Sequence, residues 1–390
     1  MNFSKDFRQI LDAIPHESTE INWDVLQKTQ LSGIFAEMQQ TQQNPLYHAE
    51  GDVFAHTKSV CEHLVKLPEY AQCSRHQQEI LFVAALLHDI GKIKCTTVVD
   101  GEIVSPKHTI VGAFMARELL WTTFDLAGDK HKQDVRETIC LLVRFHSYPP
   151  FAIYDDSHPR KMLAIAANGE LAPSFNLKLL YILEKADVLG RICDESDYLE
   201  KIECFKILAQ EADCFECPYK FTTTYSQRAY FSKKTNWQGD TLYNGNWGEV
   251  VLLCGLPASG KDTYLAKNYS HLPVVCLDDI RKLLDVSPTK PQGEVIAYAK
   301  NKAKELLRNK QSFVWNATNI TKDTRHKLIS LFENYGASVR VVFLETSWEV
   351  GLERNSTRKD VVPQNAVEAM LSKLEPPKRM ECEFVEWITN

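Results

Sequence analysis

Nine consecutive residues, Gly255-Leu256-Pro257-Ala258-Ser259-Gly260-Lys261-Asp262-Thr263, restrict the fold of this chain more than any others. They lie between the apolar run Val250 to Cys254 and the amphipathic segment Tyr264 to Tyr269, so the local order reads strand, glycine loop, helix. In that setting Gly255 and Gly260 let the backbone turn its N–H groups toward one point. The start of the helix adds partial positive charge, and Lys261 reaches the outer phosphates of a nucleotide. A triphosphate is the natural guest. Asp262 stands where such loops place the Ser or Thr hydroxyl that ligates Mg²⁺. A carboxylate there holds the metal directly or through water, or Thr263 takes over. Without its flanks the same stretch would read as a surface turn.

One glycine loop accounts for a third of the chain at most. At 390 residues the length calls for two domains. The formal net charge of -6 gives no global basic field, so any polynucleotide has to be gripped by a local patch. Eleven scattered cysteines, with no apolar stretch of leader length in Met1 to Ile10, place the expected home in a reducing cytosol. The apolar runs are too short to span a bilayer, and no membrane partner is expected. Cys214 and Cys217 form a lone CxxC without a second pair at zinc-ligand spacing, which favours free thiols over a metal site.

From the N-terminus, residues 1–43 read as a helical extension, closed by Asn44-Pro45. Residues 44–238 form an all-α domain: apolar residues recur at three- and four-residue spacing near 53–67, 77–90, 109–124, 132–146, 160–167, 175–189 and 196–212. Between Phe215 and Trp247 the periodicity weakens, which suggests an irregular piece and then a linker over 239–248. From residue 249 to 390 the pattern changes class. Short β-rich runs, Val250 to Cys254, Pro273 to Cys276, Ser312 to Trp315 and Val339 to Leu344, alternate with helices, as in an α/β domain with a parallel sheet.

In the helical domain His88-Asp89 ends the apolar helix Ile80 to Leu87, and its two ligand types leave one helix end about 100° apart. A metal in that crease needs ligands from other helices, and His56, His108, His146 and Asp187 are the candidates. Imidazole nitrogens mixed with carboxylate oxygens suit Mn²⁺, Ni²⁺, Co²⁺, Zn²⁺ or iron, ions that acidify coordinated water for attack on phosphorus. Taken singly, a helical histidine is more often a core or surface residue. His56, His88-Asp89-Ile90-Gly91-Lys92, His108 before Gly112-Ala113, Phe145-His146 and Ala186-Asp187, in that order, resemble the HD-domain metal phosphohydrolases over the whole helical region. The resemblance implies that His56, His88, Asp89 and Asp187 hold one metal. It also implies that His108 and His146 add a second, and that Lys92 contacts substrate phosphate unless it is simply a solvated helix-end cation. His16, His48, His63, His76, His131 and His158 lack such context and are taken as ordinary residues.

In the C-terminal domain Cys276-Leu277-Asp278-Asp279-Ile280-Arg281 runs from a strand into a helix. A carboxylate at that edge of a parallel sheet can take the proton of an attacking hydroxyl, or it can cap the helix. Arg281, one turn on, can hold a phosphate. Arg354 and Arg358, at i,i+4, share one helix face and can fold over the phosphates as a lid, or stand as surface residues. Asn316 follows an apolar strand where an acidic residue usually supports the metal.

The loop, Asp278 with Arg281, and Arg354 with Arg358 resemble, in order and spacing, the kinase domain of the phage-type polynucleotide 5′-hydroxyl kinases, from about Gly248 onward. The resemblance implies that Lys261 and Thr263 bind ATP phosphates, Asp278 is general base to a ribose 5′-OH, Arg281 holds the neighbouring phosphate, and Arg354 and Arg358 are lid arginines. Asp262 and Asn316 depart from that pattern. The two domains together resemble the bacterial HD-domain polynucleotide kinases that heal broken RNA or DNA ends. This resemblance implies Mg²⁺ with ATP in the kinase, a transition metal in the HD site, and a ligase in the same pathway. Two other readings stay open: a small-metabolite kinase fused to a nucleotide phosphohydrolase, and a nucleotide-sensing module. The lysines from Lys300 to Lys310 are read as a solvated face before a strand-tracking one. Trp237, Tyr243 and Trp247 either stack bases or pack.

Overall fold

The computed structural model describes residues 3–15, 19–155, 158–193 and 197–390. The chain divides into two compact units, Met1–Ala127 with His131–Tyr219, and Lys220–Asn390 with Gly128–Lys130. Among the described residues no helix is long and apolar enough to cross a membrane.

The first unit is helical because its apolar residues repeat at helical spacing and its helix starts are capped. Ser74 and Gln77 form a reciprocal capping box ahead of the helix Arg75–Leu87. In that helix every residue from Ile80 to Leu87 is buried, so it runs through the core rather than along its surface. Asp52 caps Val53–Leu64 by accepting from Ala55 N at 2.9 Å, and Asn176 caps Leu177–Gly190 through Leu179 N at 2.9 Å. These two helices pack against each other and against Arg75–Leu87. The helix His108–Thr122 arrives by a different device. Gly91 has ordinary helical φ and ψ, but a Cβ on it would fall 2.0 Å from the His108 carbonyl oxygen and 2.6 Å from Gly112 N. Only a residue without a side chain lets the two backbones meet there. The unit also holds one short antiparallel hairpin, β1 (Thr97–Val99) and β2 (Glu102–Val104), between these helices, which helical periodicity could not announce. Of the expected helix near 196–212, residue 196 lies outside the described residues and the helix runs Tyr198–Glu211.

The second unit carries a five-stranded, wholly parallel sheet: β3 (Glu249–Cys254), β4 (Val274–Cys276), β5 (Phe313–Asn316), β6 (Ser338–Glu345) and β7 (Phe384–Thr389), in the order β4-β5-β3-β6-β7. The near-continuous apolar run of β3 and the buried β5 fit central strands covered on both faces. Four of the strands lie where alternation and composition put them, and β7 is an addition. The weakly periodic stretch after Phe215 contains the helix Thr224–Phe231, capped by Thr223 and tied by Arg228 to Glu333 at 2.9 Å. Trp247 donates to the Tyr335 carbonyl at 2.8 Å, while Trp237 and Tyr243 are exposed. The lysine-rich helix Gly293–Arg308 buries Val295, Ala299, Ala303 and Leu307 along its inner stripe. Cys214 and Cys217 are free thiols.

Candidate functional site

Six side chains from five helices and their ends converge in the first unit. His56 comes from Val53–Leu64, His88 and Asp89 from the end of Arg75–Leu87, His108 from the start of its helix, His146 from just past Lys130–Phe145, and Asp187 from Leu177–Gly190. All are buried except His108, which is one-fifth exposed. Three of the imidazoles are held alike. His88, His108 and His146 each place Nδ1 on the carbonyl oxygen three residues back, Ala85, Ser105 and Val143, at 2.7, 2.9 and 2.9 Å. A carbonyl only accepts, so Nδ1 carries the proton and Nε2 presents a lone pair. His56 differs: its Nδ1 lies 2.8 Å from Glu50 Oε1, at ion-pair distance.

All four Nε2 atoms face two aspartates. His56 Nε2 is 2.9 Å from Asp187 Oδ1 and 3.7 Å from Asp89 Oδ2, and His88 Nε2 is 3.4 Å from that same Asp89 oxygen. His108 and His146 approach the other oxygen, Asp89 Oδ1, at 3.5 and 3.7 Å. Among these six residues two donor sets result, His56 with His88 and Asp187, and Asp89 with His108 and His146, with Asp89 turned toward both; His56 also lies in a third set with His48 and Glu50. Ligands at about 2.1 Å from a common ion stand roughly 3.0 to 3.5 Å from each other, close to these separations. His88 Nε2 and Asp89 Oδ1 are buried without a hydrogen-bond partner among the described residues, a costly arrangement that a bound cation would satisfy. The donor set therefore fits a divalent metal.

Electrostatics agree at His146 and Asp89; at His56 burial alone would lower the imidazole, but Asp187 and Glu50 raise it above its ordinary value. Burial pushes the His146 imidazole down to about 3, helped by the nearby His88, so it stays neutral as a ligand must. Burial alone would raise the Asp89 carboxyl, but Lys92 and His88 hold it well below its ordinary range. Lys92 is itself buried and is not a solvated helix-end cation. Its Nζ lies 2.7 Å from Asp89 Oδ2 and donates to Gln43 Oε1 at 2.7 Å.

The supporting residues escaped sequence reasoning. Glu50 accepts from His48 and from the Ile192 backbone as well as facing His56, so His48 is no ordinary surface histidine: its Nδ1 lies 2.8 Å from Glu50 and its Nε2 3.5 Å from Lys92 Nζ. Arg191, one turn beyond Asp187, binds the outer oxygen of that carboxylate, a spacing that could have been noticed. Glu184 is fully buried, and burial with the neighbouring Asp187 drives its carboxyl well upward, so it is held neutral. His63 bonds within its own helix to Ser59 O, and His76 and His131 stack on each other with ring centres 5.2 Å apart. His16 and the side chain of His158 lie outside the described residues.

In the second unit the glycine loop joins β3 to the helix Lys261–Asn268, as strand, loop and helix. Gly255 and Gly260 have φ of +147° and +90°, values open to glycine, and Ala258 also has positive φ. Ser259 Oγ is buried without a hydrogen-bond partner among the described residues. Lys261 Nζ donates to the Gly255 and Leu256 carbonyls at 3.0 and 2.7 Å, and burial pulls its pKa down to about 8. Asp262, on the first turn, accepts from Asn316 Nδ2 at 2.7 Å. Thr263 follows it on the same turn, exposed.

Asn316 ends β5 beside Leu253 of β3 and Cys276 of β4, so the loop and the β4 end open on one strand edge. Asp278 lies there in the first turn of Leu277–Leu283, mostly exposed and ion-paired with Arg281. It is not the capping residue; Cys276 holds that position. Arg281 is steadied by Gln292 Oε1 at 2.7 Å. Arg354 lies in the helix Trp348–Ser356, but that helix ends before Arg358, so the two arginines do not share one helix face. Asn355 pins the segment that follows, bonding both backbone groups of Val362 at 2.7 and 3.1 Å.

Comparison with known protein families agrees with this division. Residues 53–202 match the HD domain family, and residues 250–377 match a family described as an AAA domain. The chain therefore joins an HD domain, which implies a divalent metal, to a P-loop kinase-like domain, which implies a nucleotide.

Proposed function

We propose that this chain is a bifunctional nucleic acid end-healing enzyme. Its P-loop domain transfers the ATP γ-phosphate to a 5′-OH polynucleotide end, and its HD domain removes 2′,3′-cyclic, 2′- or 3′-phosphates with a divalent metal. The observation that carries the reading is the Asp278–Arg281 pair on the same sheet edge as the phosphate loop. A phosphate loop alone indicates a nucleotide; a carboxylate with a guanidinium beside it indicates an acceptor that brings both a hydroxyl and a phosphate of its own.

In this scheme Lys261, the Gly260 N–H and the loop bounded by Gly255 and Ser259, with Asp262 and Thr263, hold MgATP. Asp278 takes the proton from the 5′-OH as its oxygen bonds to the γ-phosphorus and the bond to ADP breaks. Arg281 holds the acceptor's adjacent phosphate, and Arg354 and Arg358 offset charge on the transferring group. In the HD domain His56, His88, Asp89 and Asp187 would hold one divalent ion, with His108, His146 and the other oxygen of Asp89 offering a second place. Mn²⁺, Ni²⁺, Co²⁺ or Zn²⁺ suits these donors. Lys92, beside Asp89, would meet substrate phosphate. One domain clears a phosphate and the other adds one, which leaves the ends a ligase requires.

The test is transfer of label from γ-³²P-ATP to a short oligonucleotide bearing a 5′-OH and a 3′-phosphate, in RNA and DNA forms. Label at the 5′ end that is lost in Asp278→Ala, with 3′-phosphate release lost in His88→Ala/Asp89→Ala, is the expected result. A wild-type protein that binds ATP but labels no oligonucleotide overturns the polynucleotide assignment and points to a small hydroxylated acceptor or to sensing.

A further inference from the structure

The two departures from the phosphate-loop pattern are one structural feature. Asp262 follows the loop lysine and Asn316 ends the strand beside the loop, and they are joined by a 2.7 Å hydrogen bond from Asn316 Nδ2 to Asp262 Oδ1. In phosphate loops of the usual pattern the loop offers a neutral hydroxyl and the acidic partner sits across from it. Here the same two places carry the opposite groups, an anion on the loop and a neutral donor on the strand. The total charge of the pair is unchanged and its direction is reversed.

We propose that Asp262 and Asn316 form a transposed Mg²⁺ site, in which the metal-facing carboxylate has moved from the strand to the helix start and the strand amide orients it. The inference rests on reading the second unit as an ATP-binding domain. Three observations support it. Asn316 is buried and spends its Nδ2 on one carboxylate oxygen, while Asp262 is exposed, so the other oxygen remains available on the open side of the loop. Asn316 is fixed by parallel pairing beside Leu253 and Cys276, so its amide comes from a rigid strand end. Ser259 Oγ, buried and without a partner among the described residues, lies close enough to Gly255 that a Cβ there would meet it at 2.7 Å, so a further polar group lines the loop.

The geometry makes the two positions interdependent. Asn316→Asp alone would set two carboxylates at hydrogen-bond distance with no proton between them. Asp262→Thr alone would leave the site without any carboxylate. Asp262→Thr/Asn316→Asp would restore the ordinary polarity.

The experiment is titration calorimetry of the full chain with ATP, with and without Mg²⁺, for wild type, Asp262→Asn, Asp262→Thr and the double variant, with thermal melts to confirm folding. Wild type should bind ATP at least about tenfold more tightly with Mg²⁺, a difference of about 1.4 kcal/mol. Asp262→Asn and Asp262→Thr should lose that enhancement while keeping or improving Mg²⁺-free affinity, since an anion beside the triphosphate has gone. The double variant should regain it. Full enhancement in Asp262→Asn, or a folded double variant no better than Asp262→Thr, overturns the transposed site and leaves the ATP reading intact. Failure of wild type to bind ATP in either condition overturns both.

Discussion

The phosphate-loop lysine should make ATP binding depend on pH just above neutrality. In the free protein Lys261 is turned onto the Gly255 and Leu256 carbonyls and burial lowers its pKa from 10.5 to about 8. Only the ammonium attracts the triphosphate, and the bound anion raises its pKa again. Affinity is therefore full below that value and is lost as pH rises through it. From about pH 7.5 to about pH 9 the charged fraction falls from about three quarters to about one tenth, so the apparent affinity should drop about eightfold. Titration calorimetry across that range measures this directly. Near pH 8, repeating it in buffers of different ionisation enthalpy should show uptake of about half a proton per ATP. Arginine stays charged throughout, so Lys261→Arg, whatever its absolute affinity, should give a flat profile. An unchanged wild-type affinity between these limits, or an equal fall in Lys261→Arg, would refute the reasoning.

Metal analysis after equilibration with Mn²⁺ and gel filtration should show Asp89→Asn weakened at both positions, because its two oxygens face different histidine pairs, whereas His146→Ala should lose one ion and keep the other. Arg325 is fully buried, binds both oxygens of Glu381 at 2.7 and 2.8 Å and donates to Asn319 O, so Arg325→Ala should cost the second unit about 3 to 5 kcal/mol in urea unfolding by stranding Glu381. Burial alone would raise the Glu137 carboxyl, but Arg117 and Arg136 hold it at about 2 against an ordinary 4.5. Its contribution is present above the ordinary value and fades as pH falls toward 2, so Glu137→Gln should flatten that limb of an acid-stability curve.

The sequence was legible where a residue's chemistry or spacing carries the message by itself. The run from Ile80 to Leu87 announces a buried helix, Val250 to Cys254 a central strand, and His88-Asp89 at a helix end a pair of ligands. It was mute where meaning depends on a partner far along the chain. Glu50 lies on a loop six residues before His56, with no periodicity to connect them, and Gln43 meets Lys92 only through folding. Asp262 and Asn316 were each visible as oddities, but only the pairing of β3 with β5 shows them to be partners. β7 lacked a clean signal because it is an edge strand with partly exposed residues and polar breaks. The arginine pair failed as a helix face because Asn355 turns the chain through Val362 before Arg358 can continue the helix.

The contact at Gly91 bears on how such chains are sorted. His108 reaches Asp89 because its helix begins flush against a backbone that has no side chain to spare, with room for less than one methyl group. On the two-ion reading, stoichiometry is then a matter of clearance and not of donor inventory. Gly91→Ala would keep every ligand residue in the sequence, push the His108 helix outward and turn a two-ion centre into a one-ion centre. A census of histidines and aspartates would score both chains alike, so the small residue behind the pair belongs in any signature meant to tell them apart.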